Sequence, residues 1–134
     1  MRDGISTAAI YRECLSEWGW LPTPAKERHD FASDTHGEKL LVAVDSDDEP
    51  IGFISVWEPE AFIHHLFVRR ASRRHGVGAL LLESLRGVLP KPWRLKCLTA
   101  NEAARAFYLH RGWSEVSKGD GEDGPFVVLE IHET

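Results

Sequence analysis

The sequence is poor in cysteine, has no long apolar run and carries no excess of positive charge. Two cysteines, Cys14 and Cys97, are too few for a disulfide framework. Both sit inside apolar segments, which predicts buried, reduced thiols and a cytoplasmic protein. No apolar stretch approaches the roughly 20 residues that a spanning helix needs. Met1-Arg2-Asp3-Gly4 lacks the charged-then-apolar pattern of a secretion signal. A formal charge of -5 makes the chain a poor non-specific ligand for nucleic acid. The expected partners therefore include neither nucleic acid nor membrane. There is no repeat and no low-complexity tract. What remains is ordinary: 43% hydrophobic and 28% charged residues in a chain of 134. That predicts one domain, 1–134, able to bury a core without a metal or disulfide staple.

The hydrophobic period divides the chain into elements. Ser6 can cap a first helix with Ile10, Cys14 and Trp18 on one stripe, ending near Gly19. Trp20-Leu21-Pro22-Thr23-Pro24 is a rigid connector, and a charged helix is expected over about Ala25 to Ala32. Lys39 to Val44 and Ile51 to Glu58 read as a hairpin around an acidic turn. Ala61 to Val68 is a third strand, with little alternation and so expected to be buried on both faces. From Gly76 the period is helical, with Val77, Leu80, Leu81, Leu85 and Val88 on one side. Arg94 to Ala100 is a strand, Asn101 caps a helix to about His110, and Gly112 stops it. Trp113 to Ser117 and Phe126 to Ile131 are the last strands, with a mobile Gly/Asp-rich loop expected over Lys118 to Pro125. The order α-α-β-β-β-α-β-α-β-β gives a mixed α+β fold. The strand–helix–strand unit over 61–100 makes its two strands parallel.

The stretch Leu66-Phe67-Val68-Arg69-Arg70-Ala71-Ser72-Arg73-Arg74-His75-Gly76-Val77-Gly78-Ala79 leads from a strand through a basic loop into a helix. Unpaired N–H groups at a helix start attract anions, and glycine lets a ligand approach the backbone. Four arginines beside that start suit phosphate. Neither the P-loop pattern nor the dinucleotide fingerprint is present. A solvated basic loop with a turn glycine is the plainer alternative.

Arg73-x-x-Gly76-x-Gly78 after Leu66-Phe67-Val68 resembles the acyl-CoA-binding motif of the GNAT N-acetyltransferase superfamily. Asn101 to Trp113, an Asn, a helix with Tyr, then Gly and an aromatic, resembles that superfamily's second signature. The likeness covers about residues 39–131, and the two preceding helices are compatible with it. One departure is visible: the superfamily core usually opens with a strand, and only a few polar residues precede Ser6. The resemblance implies a mostly antiparallel mixed sheet whose central parallel strands splay to admit acetyl-CoA, with no metal needed.

Carried over residue by residue, the resemblance places the pantetheine arm along Leu66, Phe67 and Val68. It makes the Val68 N–H the donor to the thioester carbonyl. It sets the pyrophosphate at Arg73, Arg74, His75, Gly76, Val77, Gly78 and Ala79, with Asn101 and Tyr108 also against the cofactor. Seven residues separate Asn101 from Tyr108, so both can line one helix face. The superfamily uses the Tyr108 position as the general acid for the departing thiolate; the alternative is a core aromatic, although Phe107 is the better core candidate.

The base is less determined. An ammonium must lose its proton before its nitrogen attacks a thioester. The Glu of histone-type relatives is matched by Phe62, and that of ribosomal N-terminal acetylases by Lys96. Arylalkylamine N-acetyltransferases have a His where this chain has His64. His64 is therefore the first candidate for base or water relay, against a structural histidine, with Glu58 and Glu60 as further options. His65 is expected on the opposite strand face, so the pair is not expected to share a metal. Trp20 and Trp57, with His64, are the expected acceptor-binding residues, and Cys97 is not expected to act as a nucleophile.

The function so implied is direct transfer of an acetyl group from acetyl-CoA to a primary amine, of a small molecule by preference. A peptide acceptor, or a non-catalytic acyl-CoA-binding module, is the alternative. Either a monomer or a homodimer is compatible with the sequence.

Overall fold

A computed structural model describes residues 2–16, 31–73 and 75–132. Helix α1 (Arg2–Ser16) is followed by a single turn, α2 (Phe31–Asp34), and strands β1 (Lys39–Val44) and β2 (Pro50–Trp57). Strand β3 (Phe62–Val68), helix α3 (Val77–Glu83), strand β4 (Trp93–Leu98) and helix α4 (Glu102–His110) come next. Strands β5 (Ser114–Gly121) and β6 (Gly124–Ile131) close the order. The six strands form one sheet in the order β1-β2-β3-β4-β6-β5. Only β3 and β4 are parallel; the other four pairings are antiparallel. This is the mixed α+β architecture the periodicity predicts.

The sheet has a core on each face. On one side α1 buries Ile10, Tyr11, Cys14 and Leu15 against Phe53. On the other, Val77, Leu81, Leu82 and Leu85 of the α3 segment pack with Tyr108, Trp113 and the inner residues of β4 and β6. Phe53 and Leu85 are fully buried, each contributing about 1.5–3 kcal/mol by leaving water.

Several boundaries differ from expectation. Helix α1 begins at Arg2, so Ser6 lies inside it rather than at its cap, and no strand precedes it among the described residues. Its expected end with Trp18, the connector from Trp20, and most of the charged helix expected over 25–32 lie outside the described residues; Phe31–Asp34 is a helical turn.

Helix α3 stops at Glu83, five residues before Val88. Past it the backbone tightens to i→i−3 bonds at Leu85, Arg86 and Val88, and Gly87 adopts φ +81°. Beyond Glu83 the tightening rotates the apolar stripe, so Leu89 is buried and Val88 faces solvent. Within the helix itself Leu80 faces solvent and Leu82 is buried.

Residues 118–125 form no long loop: β5 and β6 run to a hairpin with Gly121 opposite Gly124. Gly119 makes this possible, since a Cβ there would stand 2.4 Å from Phe126 Cζ. Strand β3 is half-buried along most of its length rather than buried on both faces. The reason is the gap described next.

Candidate active site

Strands β3 and β4 pair at only two positions, Phe62 with Arg94 and Ile63 with Leu95, and then separate. Beyond Ile63 the open edge of β3 faces the gap. The register there is set by β2: Arg69 N donates to Ile51 O at 2.8 Å, while Val68 lies opposite Gly52. Bonded and non-bonded pairs alternate along an antiparallel ladder. Val68 and, two residues back, Leu66 are therefore non-bonded to β2, and their peptide groups point toward the gap. This is a strand edge that no neighbouring strand covers, able to accept an extended ligand.

Two cavities meet at this edge. One, of about 570 Å³, is lined by Leu66, Phe67, Val68, Arg73, Gly76 to Ala79, Asn101, Phe107 and Tyr108, among others. The other, of about 430 Å³, lies on the far side of Tyr108, between β3, β4 and the β5–β6 turn. It is lined by Tyr11, His64, His65, Lys96, Glu122 and Asp123, among others. Leu66, Phe67, Asn101, Ala104 and Tyr108 border both.

Gly76 opens α3 with φ +78°, a left-handed turn that glycine takes without strain. Gly78 faces the ring of Phe107, where a Cβ would come within 3.3 Å. Arg73 folds back so that its Nε donates to Val68 O at 3.0 Å. Glu13 of α1 accepts from the Arg70 N–H at 3.0 Å and stands 3.9 Å from the Arg69 guanidinium. Of the four loop arginines, Arg73 alone among the described residues lines the larger cavity, and Arg74 lies outside the described residues. His75 is exposed and does not line it.

Asn101 caps α4, its side-chain oxygen accepting from Ala104 N at 3.3 Å. Tyr108 is 7% exposed, edge-on to Phe107 and Trp113. Burial drives its hydroxyl well above the usual phenol range, and the neighbouring Cys97 adds to this. The expected division of labour between the two aromatics is thus reversed in packing. Tyr108 belongs to the buried core and Phe107 packs on its border, beneath the Arg111 guanidinium.

The opposite-face expectation for the two histidines fails. The β2–β3 register runs Ser55 with His65 and then Val56 with Ile63, so His64 is an extra residue, a β-bulge. A bulge re-aims its side chain. The two imidazoles end 4.2 Å apart between ring centroids, and both line the smaller cavity. His64 Nδ1 hydrogen-bonds Glu38 Oε2, and His65 Nδ1 lies 2.8 Å from Ser55 Oγ. Burial lowers the pKa of His65. Burial pushes the Glu38 carboxyl up, but the two imidazoles beside it outweigh that and hold it below the ordinary range.

The family model of the acetyltransferase (GNAT) family matches residues 6–113. The chain belongs to this family. No curated relative matches it. Among solved structures, apo YjaB from Escherichia coli superposes with TM-score 0.81 at 22% identity, covering 96% of this chain and 90% of YjaB. A phosphinothricin acetyltransferase from Sinorhizobium meliloti, in complex with AcCoA, gives TM-score 0.66 at 19% identity over 97% and 83% of the two chains. Arabidopsis thaliana Naa50, with the bisubstrate analogue CoA-Ac-MVNAL, gives 0.54 at 22% over 64% and 68%.

In this GNAT acetyltransferase, Trp57 is exposed at the end of β2 beside Gly37 and lines neither cavity. Trp20 lies outside the described residues. Glu58 and Glu60 are exposed on a turn away from both cavities. Sequence reasoning missed Glu38, Ser55, Tyr11 and the Glu122–Asp123 turn. A His-His pair opposite a serine strand, with an acidic residue opening the preceding strand, is the one signal that could have drawn attention to Glu38. No described helix is long and apolar enough to cross a membrane.

Proposed function

We propose that this protein transfers an acetyl group directly from acetyl-CoA to a primary amine, most readily that of a small molecule. The meeting of the two cavities at Tyr108 and the Leu66–Phe67 edge carries the reading. The larger cavity suits the co-substrate: an unpaired strand edge, a glycine-opened helix start and the cap of α4 fit an extended arm ending in phosphates. Acetyl-CoA supplies the thioester; the chain supplies everything else. Leu66, Phe67 and Val68 hold the arm, and the Val68 N–H donates to the carbonyl oxygen as it gains charge. Gly76 to Ala79 and Arg73, with Arg74 and His75 on the same loop, attend to the phosphates.

His64 takes the proton from the incoming ammonium. Glu38, which when ionised can only accept, accepts from the Nδ1–H and so leaves the lone pair on Nε2. Tyr108, protonated at neutral pH as an ordinary phenol is, gives its proton to the departing sulfur. Cys97 has no such role: it is buried and its thiol is pushed up. Two buried free cysteines suit a reducing, cytoplasmic compartment. A peptide acceptor is the second reading, and it forms the second screening panel.

The deciding experiment is a thermal melt with and without saturating acetyl-CoA, followed by an amine screen. At about 100 times its Kd the ligand adds about 2.7 kcal/mol, a rise of several degrees. A shift with turnover of a small amine supports the reading. A shift without turnover of any amine or peptide leaves an acyl-CoA-binding module.

A further inference from the structure

We infer that Glu38, His64 and His65 form a binding site for a divalent cation of the zinc class at the wall of the smaller cavity. Each offers one donor atom, and the three atoms lie within 4.8 Å of one another. Two imidazoles and a carboxylate are a borderline N/O donor set of the kind zinc takes, with bonds of about 2.0–2.2 Å. The site is made by the fold. Glu38 precedes β1, and the bulge in β3 turns His64 to the side of His65.

A second observation points to a ligand. The Glu38 side chain is 6% exposed, and its Oε1 is buried with no hydrogen-bond partner among the described residues. His65 Nδ1 stands 3.8 Å from that oxygen, too far to satisfy it. Buried carboxylate oxygens are ordinarily paired. Ser55, fully buried, lies 2.8 Å from His65 Nδ1 and fixes the ring beside Glu38. The His64 side chain is 45% exposed and borders the cavity, which gives a cation its way in.

Occupancy has a chemical consequence. A neutral imidazole has one lone pair; a cation that takes Nδ1 of His64 in place of the proton shared with Glu38 moves the ring proton to Nε2. His64 can then accept nothing from an amine. The cation is thus an inhibitor of transfer, a consequence that rests on the proposed role of His64; the binding itself does not.

Untagged protein titrated with zinc chloride by calorimetry, and with cobalt(II) followed by visible absorption, tests the site. One equivalent is expected to bind, with ligand-field bands for cobalt, and affinity is expected to fall at least about tenfold in each of Glu38→Gln, His64→Gln and His65→Gln. Retained stabilisation by acetyl-CoA certifies that each variant is folded. Binding that survives in the folded variants, or no binding to the parent protein, overturns the site. Stoichiometric binding that leaves acetyl transfer untouched upholds the site and removes His64 from the mechanism.

Discussion

Glu38 and His64, 26 residues apart in sequence, share a hydrogen bond between carboxylate and Nδ1. The carboxylate is buried and the imidazole open to the cavity, so one partner fixes the other's tautomer without blocking its outer nitrogen. The pairing depends on the bulge that makes His64 an extra residue in β3.

Tyr108→Phe is expected to lower kcat by about 10²–10⁴, the usual range for a positioned acid. The hydroxyl is lost while the ring packing against Phe107 and Trp113 stays. The melting shift with acetyl-CoA should therefore persist. Steady-state kinetics on the amine found in the screen checks this, and an unchanged kcat removes Tyr108 from proton transfer.

The fold was legible because its signals are local. Asn101 caps α4 and Gly112, at φ +94°, ends it, each acting within one turn. Elements whose geometry depends on partners were not. The bulge at His64 exists only against Ser55 and Val56 of β2, and strict alternation put the two histidines on opposite faces. The end of the Leu-rich helix turned on Gly87, and the hairpin at 118–125 on Gly119 making room for Phe126. Glu38 carried no motif at all; it becomes visible only when β1 lies two strands from its histidines.

Gly52→Val is expected to destabilise the sheet beside the co-substrate edge. A Cβ at this position would stand 2.9 Å from the Phe67 carbonyl oxygen, with Val77 and Leu81 close behind. Backbone cannot rotate away, so β2 and β3 must part, at about 1–3 kcal/mol. A Tm lower by several degrees, with weaker stabilisation by acetyl-CoA, is the expected result. An unchanged Tm would mean the strands yield freely here.

Asn101→Ala is expected to cost about 1 kcal/mol through loss of the cap on Ala104 N. Because Asn101 borders both cavities, the KM for acetyl-CoA should rise as well. Asn101→Asp keeps an acceptor at the cap and should restore the Tm. Its failure to do so would show that the side chain matters for more than the helix start.

Alkaline pH is expected to destabilise the protein through two buried acids. Burial raises both the Tyr108 hydroxyl and the Cys97 thiol above their ordinary values of 10.0 and 9.0. Below about pH 8 both groups are protonated whether the chain is folded or not, so neither affects the balance. Above it the unfolded chain releases protons that the folded chain keeps, and stability falls as pH rises. Tm measured between pH 8 and about pH 11 should therefore decline, and Tyr108→Phe should flatten the upper part of that decline. A parallel decline in parent and variant would mean that the Tyr108 hydroxyl is not the group responsible.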